Sequence, residues 1–175
     1  LLTKDNRMPE QGALELSGLA QYQELGDQDE AVSESDVNVW WLMPKARLGL
    51  LDTVALYGQA PYGIVEPDLG DDERGVGDAS VGLEWMLFED IFDYPWLMAH
   101  VQHTFDTGDE DEGLGEGEQR TRVGLAAGTT MYEVLDLAAD VRYRMYEDAE
   151  NVAALALSAV WEVSEQLALV GEAEV

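Results

Sequence analysis

The chain has 175 residues, 46% of them apolar, which suits one domain with a core and excludes disorder throughout. Its 37 acids against nine bases give a net charge of -28, so phosphate backbones are repelled and no nucleic acid is expected as a partner. Without cysteine there is neither a disulfide frame nor a thiolate metal site, and no run of about 18 apolar residues exists to make a transmembrane helix.

Taken in chain order, the sequence alternates with the period of two that marks β-strands. Leu14, Leu16, Gly18, Ala20 and Tyr22 oppose Glu15, Ser17, Gln21 and Gln23. Ala79, Val81, Leu83, Trp85 and Leu87 oppose Asp78, Ser80, Glu84 and Met86. Leu97, Ala99, Val101, His103 and Phe105 oppose Met98, His100, Gln102 and Thr104. Leu135, Leu137, Ala139, Val141, Tyr143 and Met145 oppose Asp136, Asp140, Arg142, Arg144 and Tyr146. A helix starting at Leu135 would put Arg142 in its apolar stripe, whereas the two-residue period separates every charge, so 134–146 is read as a strand.

The pattern predicts strands at 12–24, 37–50, 53–63, 74–88, 96–106, 119–131, 134–146, 151–163 and 166–175. Each is about ten residues or more, the length that a tilted strand needs to cross a bilayer, whereas strands of soluble sheets run about five or six. The connections alternate between long (25–36, 64–73, 107–118) and short (51–52, 89–95, 132–133), with Glu147–Glu150 and Ser164-Glu165 both short. Long loops on one rim and tight turns on the other are the outer-membrane habit.

Almost half of the acids fall in three loop regions, 24–36, 66–73 and 106–118, read as solvated loops that hold divalent cations loosely. The run Asp106–Glu112 lacks the spacing of a calcium-binding EF-hand loop. Most of the bases come as same-face pairs, Lys45/Arg47, Arg120/Arg122 and Arg142/Arg144. A lipid-facing Arg near the midplane costs roughly 2–4 kcal/mol, so these pairs are expected to face the lumen beside Asp78, Glu84, Asp136, Asp140, Glu172 and Glu174. They would serve there as a structural charge ladder or as a filter for a permeant. Phe88, Phe92, Tyr94, Trp96, Tyr132 and Trp161 cluster near short turns, as an interfacial aromatic belt would.

No catalytic constellation is visible. His100 and His103 fall on opposite faces of one strand and cannot share a metal, and no nucleophile elbow, P-loop or zinc signature occurs, so neither enzyme activity nor a cofactor is expected.

Three segments carry a resemblance. Ala46–Leu56 followed by Ala60-Pro61-Tyr62 reads as strand, "GL-x-D" turn, strand and "P-Y" ending; Gly75-Val76-Gly77-Asp78 opens a strand as "G-x-G-D"; and Thr107-Gly108-Asp109 with Gly113-Leu114-Gly115 looks like a "P-T-G-D…G-x-G" loop, with Asp106 in place of its Pro. Over positions 40–130 the chain resembles the family of outer-membrane proteins associated with the MetA pathway of phenol degradation. The resemblance implies an outer-membrane barrel that carries small, aromatic or hydrophobic compounds, and it brings no catalytic residues. The strong acidity departs from that family.

The expected fold is therefore all-β, an antiparallel up-and-down transmembrane β-barrel of the bacterial outer membrane. The expected partners are the lipid bilayer, lipopolysaccharide and a small-molecule permeant. Since about nine strands is an odd count for such barrels, residues 1–175 are expected to be one barrel domain, part of roughly twelve strands, lacking its N-terminal signal and incomplete at its C-terminus. Two other readings compete: a non-conducting structural or adhesive barrel with acidic loops, and a soluble ligand-binding β-barrel or sandwich.

Overall fold

The computed structural model describes residues 8–25, 37–67, 72–89, 95–132, 134–147, 149–164 and 167–175. The strands are β1 (Leu14–Leu25), β2 (Val37–Leu51), β3 (Val54–Gln59), β4 (Tyr62–Pro67), β5 (Glu73–Val76), β6 (Ser80–Phe88), β7 (Trp96–Thr104), β8 (Arg120–Met131), β9 (Leu135–Tyr146), β10 (Val152–Ser164) and β11 (Leu167–Glu174). All belong to one antiparallel sheet. Because β3 and β4 both lie along β2, while β6 and β5 lie along β3 and β4 in turn, each of these pairs is one interrupted traverse. Among the described residues, the eleven strands thus make nine traverses in an up-and-down meander, close to the boundaries that alternation predicts. The third traverse runs further than expected, to Pro67, so much of the expected connection 64–73 is strand. The Ala-rich segment after Asn151 is also strand, paired on both sides with β9 and β11.

Local chemistry explains the interruptions. Pro61 has no N–H for the ladder, so the third traverse breaks at 60–61. The fourth breaks beside it at 77–79, where Gly77 N donates to Pro61 O at 2.8 Å. Register shifts at Gly49/Leu51, Met86/Phe88 and Glu162/Ser164 all lie at the short-turn rim, a usual place for bulges.

Burial runs opposite to that of a soluble sheet. In β6, Ser80, Gly82, Glu84 and Met86 are buried while Val81, Leu83 and Trp85 are exposed. Glu84 is 2% exposed and Asp140 1%, against 52% for Leu125 and 59% for Val141. The sheet therefore curls with its polar face inward and its apolar face outward, the arrangement of a membrane barrel. Soluble monomers rarely expose apolar patches beyond a few hundred Å².

Exposed aromatic side chains mark both rims. Trp85, Phe88, Tyr132 and Trp161 lie toward the short turns, and Tyr22, Trp40, Tyr62, Phe105 and Tyr143 toward the long loops. Leu97, which pairs with Phe88, precedes Phe105 by eight residues. At about 3.3 Å per residue and a tilt near 40°, that is about 20 Å of height, close to the apolar band of such barrels. Trp96 departs from the expected belt: it points inward, 5% exposed, and packs with Met86, Met98 and Ala126. Phe92 and Tyr94 lie outside the described residues.

Candidate functional site: the charged inner face

Long polar side chains on the inner face lie sideways along the wall, over small residues of the strand between. Arg47 of β2 reaches over β3, past the fully buried Ala55, to Glu84 of β6 at 2.9 Å. Lys45 Nζ stands 3.7 Å from the same carboxylate and 4.4 Å from the centre of the Tyr57 ring. Tyr57 of β3 crosses β6 at Gly82 and donates its hydroxyl to Gln102 Oε1 at 3.2 Å. A Cβ on Gly82 would collide with the phenol ring.

His100 of β7 crosses β8 in the same way. Its Nε2 bonds Asp140 Oδ1 of β9 at 2.9 Å, and the imidazole lies directly on Gly124, where a Cβ would be 2.5 Å from its Cε1 and Nε2. Asp140 Oδ2 faces Arg142 Nε at 3.7 Å. Arg142 and Arg144 then reach over Ala154 and Ala156 of β10 to Glu174 of β11, at 3.0 and 2.6 Å. His100, Asp140, Arg142, Glu174 and Arg144 form one continuous polar chain. His100 Nδ1, Arg122 Nε and Arg142 Nε are buried with no hydrogen-bond partner among the described residues, and such groups demand water or a polar ligand.

The long-loop rim is narrowed by residues 107–118, which fold inward. Asp78 anchors them: Oδ1 accepts from Thr107 N at 3.1 Å and Gly108 N at 2.9 Å, and Oδ2 accepts from Glu116 N at 2.9 Å. Thr107 Oγ1 donates to Gly77 O at 3.0 Å and accepts from Ala79 N at 2.8 Å. Leu114 is thereby driven in, 3% exposed, against Gly63, Gly75 and Trp41; a Cβ on either glycine would stand 2.9 Å from its methyl carbons. Gly113 (φ 71) and Gly117 (φ 70) take the left-handed backbone that this turn needs. The loop was expected to be solvated along its length, but its apolar Leu114 and the bare glycines of β4 and β5 make insertion favourable. Glu112 on this loop titrates above the ordinary carboxylate range, first through loss of water and then through the charges of Glu73 and Asp109.

The short-turn rim is narrowed by apolar packing. Met86, Trp96, Met98 and Ala126 form a cluster joined by Ala138 and by Met8 from the segment before β1. The Pro9–Glu10 backbone presses on Gly49 so closely that a side chain there would collide with both carbonyls. Gly12 N donates to Gly49 O at 2.8 Å, and Gly49 N to Ala13 O at 3.0 Å.

Of the ten charged residues singled out in the sequence, Lys45, Arg47 and Glu84 meet in one group, and Asp140, Arg142 and Arg144 in another. Arg120 contacts Glu116 and Arg122 contacts Gln102. Asp78 is occupied by backbone amides rather than by a base, and Asp136 lies exposed near the short-turn rim, accepting from Thr130 Oγ1 at 2.6 Å. His103 sits on the outer face with Thr121 and Phe105, away from His100. The roles of Tyr57, Gln102 and Leu114 were not foreseen. The cue available for Leu114 was the triplet Gly63, Gly75 and Gly77, which leaves a hollow that some apolar side chain must fill. Among the described residues no three acids or histidines gather closely enough to hold a metal ion.

No family model matches the chain, and no curated protein does. Among solved structures it resembles the COG4313 outer membrane channel from Pseudomonas putida F1, with a TM-score of 0.64 and 19% identity, over 97% of this chain and 74% of that one. At that identity the likeness is one of fold. The chain therefore has the antiparallel up-and-down architecture of an outer-membrane β-barrel, in agreement with the architecture expected from its alternating strands.

Proposed function

We propose that this chain forms the wall of a bacterial outer-membrane channel that passes small solutes along its charged inner face. One observation carries the reading: Glu84, His100, Asp140 and Arg142 are buried while Val81, Leu83, Trp85, Val101, Leu137 and Val141 of the same strands are exposed. Water-soluble sheets do the reverse. The fold shared with an outer membrane channel supports it. The β1 and β11 edges carry unpaired backbone groups among the described residues, and in a bilayer these need strand partners. The acidic outer loops suit a rim where divalent cations bridge to lipopolysaccharide.

Reconstitution in a planar lipid bilayer tests the proposal. Discrete current steps are expected; a protein that stays in the aqueous phase without detergent would sink it. A second reading, a plugged and non-conducting barrel, draws on the obstruction of both rims by Leu114 and by Met8–Pro9. Stable membrane insertion with no current would favour that reading instead.

A further inference from the structure

Among the described residues, the inner face holds one arginine, Arg122, whose charge the wall does not balance. Arg120 contacts Glu116, and Arg144 reaches Glu174 at 2.6 Å. Arg142 is placed between Asp140 and the same Glu174. Arg122 has no carboxylate within ion-pair distance among the described residues. Its partners are the neutral Gln102 and Tyr57, and its Nε is buried without any. In the β8–β9 register Arg122 stands directly opposite Arg144. Like charges facing each other across strands are destabilising unless an anion sits between them. On a chain of net charge -28 this is the reverse of the general trend.

Space for such an anion is present. Arg120, Arg122, Arg144, Gln102, Thr104 and Glu116 enclose a cavity of about 300 Å³. A second cavity of about 400 Å³ adjoins it, sharing Gln102, Thr104, Glu116 and Arg120, and its apolar wall is made by Trp41, Met43, Pro61 and Leu114. One end therefore offers guanidinium forks, whose geometry matches a carboxylate in two hydrogen bonds, and the other offers apolar surface. A bare inorganic anion would use the first and waste the second.

We infer that the two cavities form one binding site for a small organic carboxylate, its charge held by Arg122 and Arg144 and its apolar body lying against Trp41, Met43 and Leu114. The inference rests on the channel reading and names its permeant class. Arg122 gains the acidic partner it lacks, and Leu114 couples the site to the inserted loop. Neutral apolar compounds would enter the same cavity without the anchor.

Calorimetric titration of the detergent-solubilised protein with benzoate, benzyl alcohol and inorganic phosphate tests this without requiring conduction. Benzoate should bind at least tenfold more tightly than either benzyl alcohol or phosphate. Arg122→Gln should weaken benzoate tenfold or more, Arg122→Lys should restore part of the loss, and Arg74→Gln, at an exposed position outside both cavities, should change nothing. Equal binding of benzoate and benzyl alcohol to the unaltered protein would overturn the site, and this comparison needs no variant to fold. So would phosphate binding as tight as benzoate, or benzoate binding unaffected by R122Q. Benzoate binding without bilayer current would leave the site standing and remove the channel; current without benzoate binding would do the opposite.

Discussion

Replacing Gly124 by alanine should destabilise the barrel chiefly through a residue on the neighbouring strand. In a strand interior the exchange ordinarily helps by roughly 0.5–1 kcal/mol, since glycine has more freedom to lose. Here the new methyl would stand 2.5 Å from two atoms of the His100 ring and 2.8 Å from the Val141 carbonyl. An ordinary carbon contact needs about 3.5 Å, so the ring must shift by about 1 Å. Its 2.9 Å bond to Asp140 cannot survive that, and Asp140 is left buried with Arg142 at 3.7 Å as its remaining close partner. Losing a hydrogen bond to a buried charged acceptor costs about 2 kcal/mol. The Val141 contact adds strain that does not depend on His100, so a double-mutant cycle isolates the clasp. Urea titrations in lipid vesicles of the wild type, G124A, H100A and the double variant should give a coupling of about 2 kcal/mol, with G124A much better tolerated once His100 is gone. A coupling below about 0.5 kcal/mol, with both backgrounds equally sensitive, would refute the idea that Gly124 exists to let His100 pass.

Leu125→Arg places a charge at mid-strand on the outer face and should cost about 2–4 kcal/mol of folding stability in vesicles; a change within about 0.5 kcal/mol would mean that this face meets water. Asp78→Ala removes the acceptor of three loop amides, so hydrogen exchange at Gly108 and Glu116 should quicken about 100-fold, corresponding to about 2–3 kcal/mol of local opening, while mid-strand amides stay protected. Unchanged exchange at both amides would show that the loop is held elsewhere. Glu112 titrates above its unfolded value, so the inserted loop binds protons more readily than a free one. Its closure should therefore strengthen as pH falls through that raised range and weaken above it, with slower exchange at Leu114 on the acid side; Glu112→Gln should abolish the dependence.

Strand positions were readable because a membrane barrel imposes one strong rule at every second residue, and Arg142 violates any helical alternative. The same rule is what made the ten charged residues candidates for one face, and the structure gathers six of them into two groups, Lys45, Arg47 and Glu84, and Asp140, Arg142 and Arg144. What lay beyond it was distance between strands. Alternation says that His100 and Asp140 share a face, but not that β8 carries a glycine at the level where one reaches the other. Turn-like motifs misled in a similar way. Gly75–Asp78 and Thr107–Gly115 read as two separate turn devices, whereas Asp78 accepting amides from residues 107–116 makes them a single unit. Trp96 was misplaced because an aromatic residue beside a turn suits a belt and an inner plug equally well; its even-numbered parity with Met98 and His100 was the better guide.

Small residues beneath the ion pairs also bear on the width of the barrel. Had Arg47, His100, Arg142 and Arg144 met partners across the axis, each bond would be a spar, and the opening would be fixed by side-chain length. Laid instead along the circumference, they work as hoops: charge is stored in the thickness of the wall, and strands two apart are tied against spreading. Among the described residues, the interior is then narrowed at two separate places, by the Leu114 loop at one rim and by Met8–Pro9 at the other. Either could be redesigned for calibre without disturbing the hoops that hold the staves together.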